Sequence, residues 1–435
     1  MEADRSTLLM LFLFMAMIPI DLLASNISTV ISYQSSVSRD KNGPLDLYAE
    51  LNYCIDHNNA PIAVVMHGYS PVSWSVNGVR ANAQRLRDVG FFAISVSLRG
   101  RDGSDGIRDS GGVEIYDIYD AVEYVKSHFS AYVDPTNIHI TGYSGGGGNV
   151  LSALTKFPDY FRAGSAYFGM SDYGYDLQTG WYFLGASSGH RKQLRSDVGD
   201  PSIGDPAIRD RYAARASYLA SHNNPYSEIH LFVNQNELTC PPINDENFLK
   251  NATSHQKYLG EFKNIQLHIG GKGEYIDFNN DHINQSDELQ DWPHGFPTAE
   301  QQHAAESWYL DRLLKGVIPQ PVLRLSDEFY VAGYVKTKFF SLWIGDGQNA
   351  AGVLQYCFTS NYLKSFSLQL VTNDKTIISV LKVDTSDMTG KQVKVWTNSV
   401  ETDEFVGGNI YTISNLRDGD TAKLESMPNS NIKIP

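Results

Sequence analysis

Short, continuously apolar segments alternate with segments of helical periodicity from about residue 61 onward. Residues 61–66 and 91–96 are bounded apolar runs of the kind expected for strands buried on both faces. After the second run, apolar side chains recur at helical spacing, at Ile118, Val122, Val125 and Phe129. Strands that alternate with helices predict a mostly parallel sheet covered by helices on both sides.

The same alternation continues through the next 200 residues or so of the chain. Further strands are predicted at residues 137–142, 162–168, 229–233 and 265–269, and helices at 148–156 and 299–314. Residues 171–227 interrupt the pattern with a long stretch rich in Tyr, Gly, Asp and Ser. Because an insertion of this length in a compact α/β unit is usually functional, we expect it to form a cap over a site.

The chain changes character after Pro319-Gln-Pro321. Runs rich in β-branched and aromatic residues follow, separated by Gly and Asn/Asp turns, with no long helical pattern. We therefore predict a catalytic α/β unit over residues 26–318 and an all-β, sandwich-like domain over 322–435. The Pro-rich hinge suggests that the second domain is separable, with a role in binding substrate or a surface.

Residues 8–24 are almost all apolar, which is typical of the central region of a signal peptide. Glu2 and Asp4 oppose the positive flank that a signal peptide normally has, so a retained membrane anchor is the competing interpretation. Either interpretation of residues 1–25 predicts a secreted or extracytoplasmic protein whose membrane attachment runs only through this segment.

Charge and cysteine spacing exclude several classes of function. The formal net charge is −14 and no Lys/Arg-rich run offsets it, so a nucleic-acid partner is not expected. Cys54, Cys240 and Cys357 are widely spaced and form no metal-ligand pattern. One pair of them is compatible with a disulfide, but the sequence does not identify which. We expect no metal and no cofactor.

The sequence Gly142-Tyr143-Ser144-Gly145-Gly146 stands directly after a predicted strand and before a predicted helix. A G-x-S-x-G at such a turn exposes its serine at the edge of the sheet, as in the nucleophile turn of α/β-hydrolases. The glycines also suggest a phosphate-binding loop, but the Lys-Ser/Thr ending of a P-loop is absent. Ser144 is therefore the predicted nucleophile.

Backbone N–H groups for an oxyanion hole are expected from two places. In this architecture the loop after the first parallel strand supplies one donor, which here is Tyr69 in His67-Gly68-Tyr69. The residue after the nucleophile, Gly145, supplies the other at the start of a helix. We expect the side chain of His67 to be a packed imidazole that supports the loop.

The order nucleophile, acid, histidine along α/β-hydrolase chains selects the other two catalytic residues. His294 lies after the last predicted strand and before the closing helix, and His282 is its only local rival. Glu237 lies in the loop after the penultimate strand, where a carboxylate would orient the imidazole. Asp245 and Asp281 are the alternative acids.

Aromatic residues crowd the start of the predicted cap, and Trp181 and Tyr182 are the candidates for substrate binding. They suggest an apolar or ring-bearing acyl or P1 group, although the same side chains also suit a packed core. The expected substrate is a peptide or an ester.

These residues resemble the prolyl oligopeptidase family, whose catalytic domain is close to the dienelactone hydrolases. The resemblance runs from about residue 61 to 316 and includes motifs beyond the nucleophile turn: Arg99-Gly100, the G-x-E-x-x-D-x-x-D-A pattern from Gly112 to Ala121, Asp134-Pro135, Phe168-Gly169, Asp172, Pro241 and His294-Gly295-Phe296. It implies a serine peptidase or esterase with Ser144, Glu237 and His294 as its triad.

Three features depart from that family. Glu237 stands where the family usually has Asp, and Asn234 replaces the glycine that normally opens the acid loop. Only a strand or two fit between residues 24 and 61, so the family's large β-propeller is not expected ahead of the catalytic unit. Peptidase and esterase activity therefore remain equally open. A non-catalytic binding or adhesion protein on the same fold is the alternative hypothesis.

Overall fold

The computed structural model describes most of the α/β unit and the strands of the C-terminal unit. The described residues are 25–69, 75–235, 237–255, 264–270, 294, 299–324, 326–338, 341–344, 346–358, 363–370, 379–384, 392–397, 405–406, 410–416 and 421–426. The predicted signal or anchor segment lies outside them except for Ser25. Among the described residues, no helix is long and apolar enough to cross a membrane.

An eight-stranded sheet in the order β1-β2-β4-β3-β5-β6-β7-β8 forms the centre of the α/β unit. The strands are β1 (Asn26–Asp40), β2 (Gly43–Cys54), β3 (Ala60–Met66), β4 (Phe92–Ser97), β5 (Val133–Tyr143), β6 (Ala163–Tyr167), β7 (Glu228–Asn234) and β8 (Ile265–Gly270). Strands β3 to β8 are parallel to one another, whereas β1 and β2 form an edge hairpin in which β2 is antiparallel to both β1 and β4. The six strands predicted from the apolar runs are confirmed.

Helices cover both faces of this sheet. They are α1 (Ser75–Asp88), α2 (Glu114–His128), α3 (Gly145–Lys156), α4 (Trp181–Leu184), α5 (Ser188–Asp197), α6 (Pro206–Ala213), α7 (Ile243–Ser254) and α8 (Ala299–Leu314). Alternate residues of β3 point to opposite faces: Ile62 and Val64 share one apolar core with α2, α3 and α7, while Ala63 and Val65 share another with α1 and α8. The predicted α/β-hydrolase fold is confirmed.

Helix α2 begins at Glu114, four residues before the apolar periodicity would place it. Its first turn is polar but buried, because two arginines from the loop after β4 neutralise it. Arg99 binds Asp117 through both its backbone N–H (2.9 Å) and its Nε (3.0 Å), and Arg101 Nη1 lies 2.9 Å from Glu114 Oε2. Removing one partner of such a buried pair is strongly destabilising. The motif residues that carried the family resemblance here are therefore structural.

The predicted cap, residues 171–227, contains α4, α5, α6 and two short 3₁₀ turns, Pro201–Ile203 and Ser221–Asn223. It is more helical than its composition indicated, since two of its helices begin at polar N-caps: Ser187 accepts from the backbone of His190 and Asp205 from that of Ala207. Its interior is aromatic, and Tyr173, Trp181 and Tyr212 are buried.

The C-terminal unit consists of two antiparallel sheets with strand orders β10-β11-β14-β17 and β16-β15-β18-β13-β12-β9. Its strands are β9 (Ser326–Ala332), β10 (Tyr334–Lys336), β11 (Ser341–Ile344), β12 (Ala351–Phe358), β13 (Leu363–Leu370), β14 (Ser379–Asp384), β15 (Gln392–Thr397), β16 (Phe405–Val406), β17 (Ile410–Leu416) and β18 (Thr421–Ser426). This arrangement agrees with the predicted all-β domain.

The first strands of the C-terminal unit pack directly on the α/β unit. The side-chain amide of Asn223 donates to the backbone carbonyl of Tyr330 and accepts from its backbone N–H, both at 2.9 Å. The buried ammonium group of Lys156, at the end of α3, donates to the backbone carbonyl of Ala332. Tyr334 belongs to the same apolar core as α2 and α3. Removal of the C-terminal unit would therefore expose part of the core of the α/β unit, and the separability of the two units stays a prediction.

Replacing Tyr334 with alanine is expected to destabilise the protein by about 3 kcal/mol or more, because a buried aromatic ring is lost. The ring stacks on Trp343 (centroids 4.4 Å apart) and contacts Tyr116 at 5.6 Å. Urea unfolding followed by fluorescence measures the effect. Val322→Ala, at a side chain that is 63% exposed, is the control and should change stability by less than about 0.5 kcal/mol. A loss below about 1 kcal/mol for Tyr334→Ala would contradict the described packing.

Candidate active site

Ser144 occupies the turn between the end of β5 and the start of α3. Its backbone has φ 54° and ψ −121°, a conformation that non-glycine residues rarely adopt. Two hydrogen bonds hold the turn: Ser144 N–H donates to Tyr167 O at 2.8 Å, and Gly148 N–H donates to Ser144 O at 3.0 Å. Backbone strain of this kind is typical of functional sites, where the surrounding structure maintains it.

Two glycines permit the close packing of this turn. A Cβ atom at Gly145 would lie 2.3 Å from the backbone nitrogen of Tyr69, and one at Gly142 would lie 2.6 Å from the carbonyl carbon of Gly146. Both distances are far below van der Waals contact, so a side chain at either position would force the turn and the loop after β3 apart. The G-x-S-x-G spacing thus has a direct steric cause.

The same close approach brings Tyr69 and Gly145, the two predicted oxyanion donors, next to each other beside Ser144. Gly145 opens helix α3, so its N–H also lies at the positive end of the helix dipole. The side chain of His67 is buried, and burial lowers its pKa to about 4, which leaves the imidazole neutral. Its Nδ1 lies 2.8 Å from Gly68 O, so it supports the loop as expected.

Glu237 and His294 form a pair. Glu237 follows β7 and is buried, and its Oε2 lies 3.1 Å from His294 Nδ1. Its other oxygen, Oε1, accepts hydrogen bonds from the backbone N–H groups of Thr239 and Cys240. The carboxylate therefore holds its own loop with one oxygen and the imidazole with the other. The ring of His294 stays partly exposed and lies 5.8 Å from that of Phe168.

The alternative acid Asp245 lies on α7, and the described contacts pair His294 with Glu237 instead. Burial raises the pKa of the Asp245 carboxyl well above its usual value and so disfavours the charged form that a triad acid needs. Its Oδ1 would lie 3.3 Å from a Cβ at Gly169. Asp281 and His282, the other candidates, lie outside the described residues.

Cys240 is a neighbour of the nucleophile that the sequence analysis missed. Its Sγ lies 3.7 Å from Ser144 Oγ, and it is a free, buried thiol. Burial raises the pKa of Cys240, so the sulfur is a protonated thiol within hydrogen-bonding distance of the serine hydroxyl. Its position three residues after Glu237, in the acid loop, is the sequence feature that could have identified it as a neighbour of the active site. Cys54 is also free, and the side chain of Cys357 lies outside the described residues.

The two candidate substrate-binding residues occupy different surroundings in the cap. The ring of Trp181 packs edge-on against Tyr69 (5.1 Å), and its Nε1 donates to Thr239 O at 2.6 Å, so it lies between the oxyanion loop and the acid loop. Tyr182 is buried, and its hydroxyl donates to Asp200 Oδ1 at 3.0 Å within the cap. Substrate contact by either residue stays a prediction.

A hydrogen-bonded chain also ties the cap to the oxyanion loop. The hydroxyl of Tyr69 lies 2.8 Å from Ser110 Oγ, which donates at 2.7 Å to Asp197 at the end of α5. The cap therefore fixes Tyr69 from its side chain, while Gly145 contacts its backbone. Among the described residues, no group of three or more His, Cys, Asp or Glu side chains is placed to hold a metal ion.

One family model matches a segment of the α/β unit. Residues 77–192 match the family model described as "Prolyl oligopeptidase family", a segment that contains Ser144 and the start of the cap. The resemblance inferred from the sequence motifs, and with it the predicted enzyme class of serine hydrolase, is confirmed. No curated protein gives a significant match to the chain.

Similar solved structures include an esterase and two larger hydrolases. The Pyrococcus furiosus esterase Pf2001 is 14% identical, with a TM-score of 0.42 over 68% of this chain and 93% of its own. A puromycin hydrolase is 16% identical, with a TM-score of 0.48 over 71% of this chain and 42% of its own. The Pyrococcus horikoshii acylaminoacyl peptidase is 18% identical, with a TM-score of 0.48 over 72% and 44%. This chain thus spans less than half of each of the two larger proteins.

Proposed function

We propose that this chain, a serine hydrolase with a match to the prolyl oligopeptidase family, cleaves ester or peptide bonds through an acyl-enzyme. Ser144 is the nucleophile, His294 the general base and Glu237 the acid that orients it. The observation that carries the proposal is the combination of a strained serine at the end of β5 with a carboxylate–imidazole pair whose carboxylate is buried. Ser, His and an acid in these roles form a catalytic triad for acyl transfer.

In the proposed reaction, His294 accepts the hydroxyl proton of Ser144 as its Oγ attacks the carbonyl carbon of the substrate. The resulting oxyanion is stabilised by the backbone N–H groups of Tyr69 and Gly145. The protonated imidazole then donates its proton to the leaving amine or alcohol. Water hydrolyses the acyl-enzyme in the second half, with His294 again acting first as base and then as acid.

Glu237 has two functions in this scheme. By accepting from His294 Nδ1–H, it keeps the other ring nitrogen free to take the serine proton, and its charge stabilises the imidazolium that forms. Because Glu237 is buried, little water screens this interaction. Its bonds to Thr239 and Cys240 hold the carboxylate in place without further movement during the reaction.

The apolar segment within residues 1–25 supports an extracytoplasmic location, and we include that location in the proposal. The C-terminal β unit is proposed to bind a surface or part of a large substrate. Separation of cell fractions and detection of the mature N-terminus by mass spectrometry test the location. A full-length protein recovered from the cytoplasm would contradict it.

A substrate panel tests the proposed activity and separates its two forms. p-Nitrophenyl esters with acyl chains of different size and N-blocked amino-acid p-nitroanilides report on esterase and amidase turnover in the same absorbance assay. We expect turnover of at least one ester, since ester leaving groups need less assistance than amines. Absence of turnover on every ester and anilide, with the protein folded, would contradict the proposal.

A further inference from the structure

His190 lies on the cap helix α5, against two aromatic residues that border the nucleophile turn. Its ring is 5.1 Å from that of Trp181, tilted by 36°, and 5.6 Å from that of Tyr69 in an edge-on arrangement. The backbone of Tyr69 abuts Gly145, and Trp181 is bound to Thr239 of the acid loop. His190 therefore contacts the oxyanion loop directly through Tyr69 and the acid loop indirectly through Trp181.

The side chain of His190 is half-buried. Burial, and after it the charge of His294, lower the pKa of His190 below its usual 6.5. A neutral imidazole presents one N–H donor and one acceptor nitrogen. Nδ1 of His190 is buried and has no hydrogen-bond partner among the described residues.

A buried polar atom without a partner is unfavourable, so this nitrogen is expected to gain one from water or from a bound substrate. The catalytic scheme above gives His190 no role. The proton transfers are complete with Ser144, His294 and Glu237, and the oxyanion donors are backbone groups. A polar ring packed beside the aromatic side chains of Trp181 and Tyr69 is instead suited to recognition of the substrate.

We propose that His190 is a specificity-determining residue that hydrogen-bonds a neutral polar substituent on a ring-bearing acyl group of the substrate. The inference rests on the proposed function, because it assumes acyl transfer to Ser144. The rings of Trp181 and Tyr69 favour a flat aromatic acyl group. His190 adds preference for a hydroxyl on that ring, whereas a cationic acyl group is disfavoured by repulsion from the charged form of His294.

A matched pair of substrates tests the inference: p-nitrophenyl phenylacetate and p-nitrophenyl 4-hydroxyphenylacetate, which differ only in the phenolic hydroxyl. We expect the full-length enzyme to favour the hydroxylated ester by about tenfold in kcat/KM, the effect of one hydrogen bond. In His190→Phe this ratio should fall to about one, because phenylalanine keeps the ring contacts but cannot form the bond. His190→Gln, which retains a donor and an acceptor, should keep part of the preference.

Because the ratio is taken within one variant, an overall loss of activity does not affect it. His128→Phe is the matched control: His128 is an exposed histidine that stacks on Tyr124 at the end of α2, and its replacement should leave the ratio at the wild-type value. Circular dichroism and urea unfolding verify that each variant is folded.

An unchanged ratio in His190→Phe, or a wild-type enzyme that hydrolyses both esters equally well, would overturn the inference and leave the proposed function intact. If neither ester is hydrolysed while a fluorophosphonate still labels Ser144, the substrate class is wrong. If neither ester is hydrolysed and Ser144 is not labelled, the proposed function itself fails.

Discussion

Replacing Ser144 with alanine is expected to lower kcat by about 10⁴- to 10⁶-fold, the loss seen when a triad nucleophile is removed. The covalent step then has no attacking oxygen, whereas the remaining site still binds substrate, so KM should change far less. Steady-state kinetics on the best ester of the panel measure both parameters.

Ser152→Ala is the matched control for this variant. Ser152 is a buried serine of the same helix, α3, and has no described contact with the acid–base pair. Its replacement should leave kcat within about twofold, since surface and non-catalytic serines contribute little to chemistry. A folded Ser144→Ala enzyme with comparable turnover would remove the nucleophile assignment.

Glu237→Gln is the second large effect and should lower kcat by about 10²- to 10⁴-fold. Glutamine fills the same space, and its amide oxygen can still accept from Thr239 and Cys240. The amide nitrogen would then face His294 Nδ1 as a donor. The imidazole must accept there, which moves its proton to the nitrogen that should receive the proton of Ser144.

Asp245→Asn distinguishes this explanation from a general sensitivity of the acid loop. Burial disfavours the charged form of the Asp245 carboxyl, and the described contact of His294 is with Glu237, so we expect little change in kcat. If Asp245→Asn lowers kcat strongly while Glu237→Gln stays active, Asp245 is the triad acid. The Ser144–His294 assignment would survive that result.

The local sequence was sufficient for much of the fold and for the position of the nucleophile. Strands β3 and β4 are continuous apolar runs because both of their faces are buried, and the periodicity within α2 follows its buried side. The glycines around Ser144 predicted the nucleophile turn because this turn has no room for side chains. In each case one short segment contains the whole cause.

Features that depend on contacts between distant segments could not be predicted from the sequence. The start of α2 is polar, and only its pairing with Arg99 and Arg101 makes its burial favourable. Cys240 is 96 residues from Ser144 in the chain, and its sulfur reaches the hydroxyl only through the packing of the acid loop. Similarly, the residues after 321 predict an all-β unit but do not reveal that Tyr334 enters the core of the α/β unit.

The central claim is that Ser144 is an activated nucleophile, and reaction with a fluorophosphonate tests it most directly. Intact protein is treated with the probe, digested and mapped by tandem mass spectrometry, with Ser144→Ala treated in parallel. The account predicts one phosphonylated serine, Ser144, in the wild-type protein, much slower labelling in Glu237→Gln, and none in Ser144→Ala. An unlabelled wild-type protein, or an adduct on another residue that persists in Ser144→Ala, would contradict it.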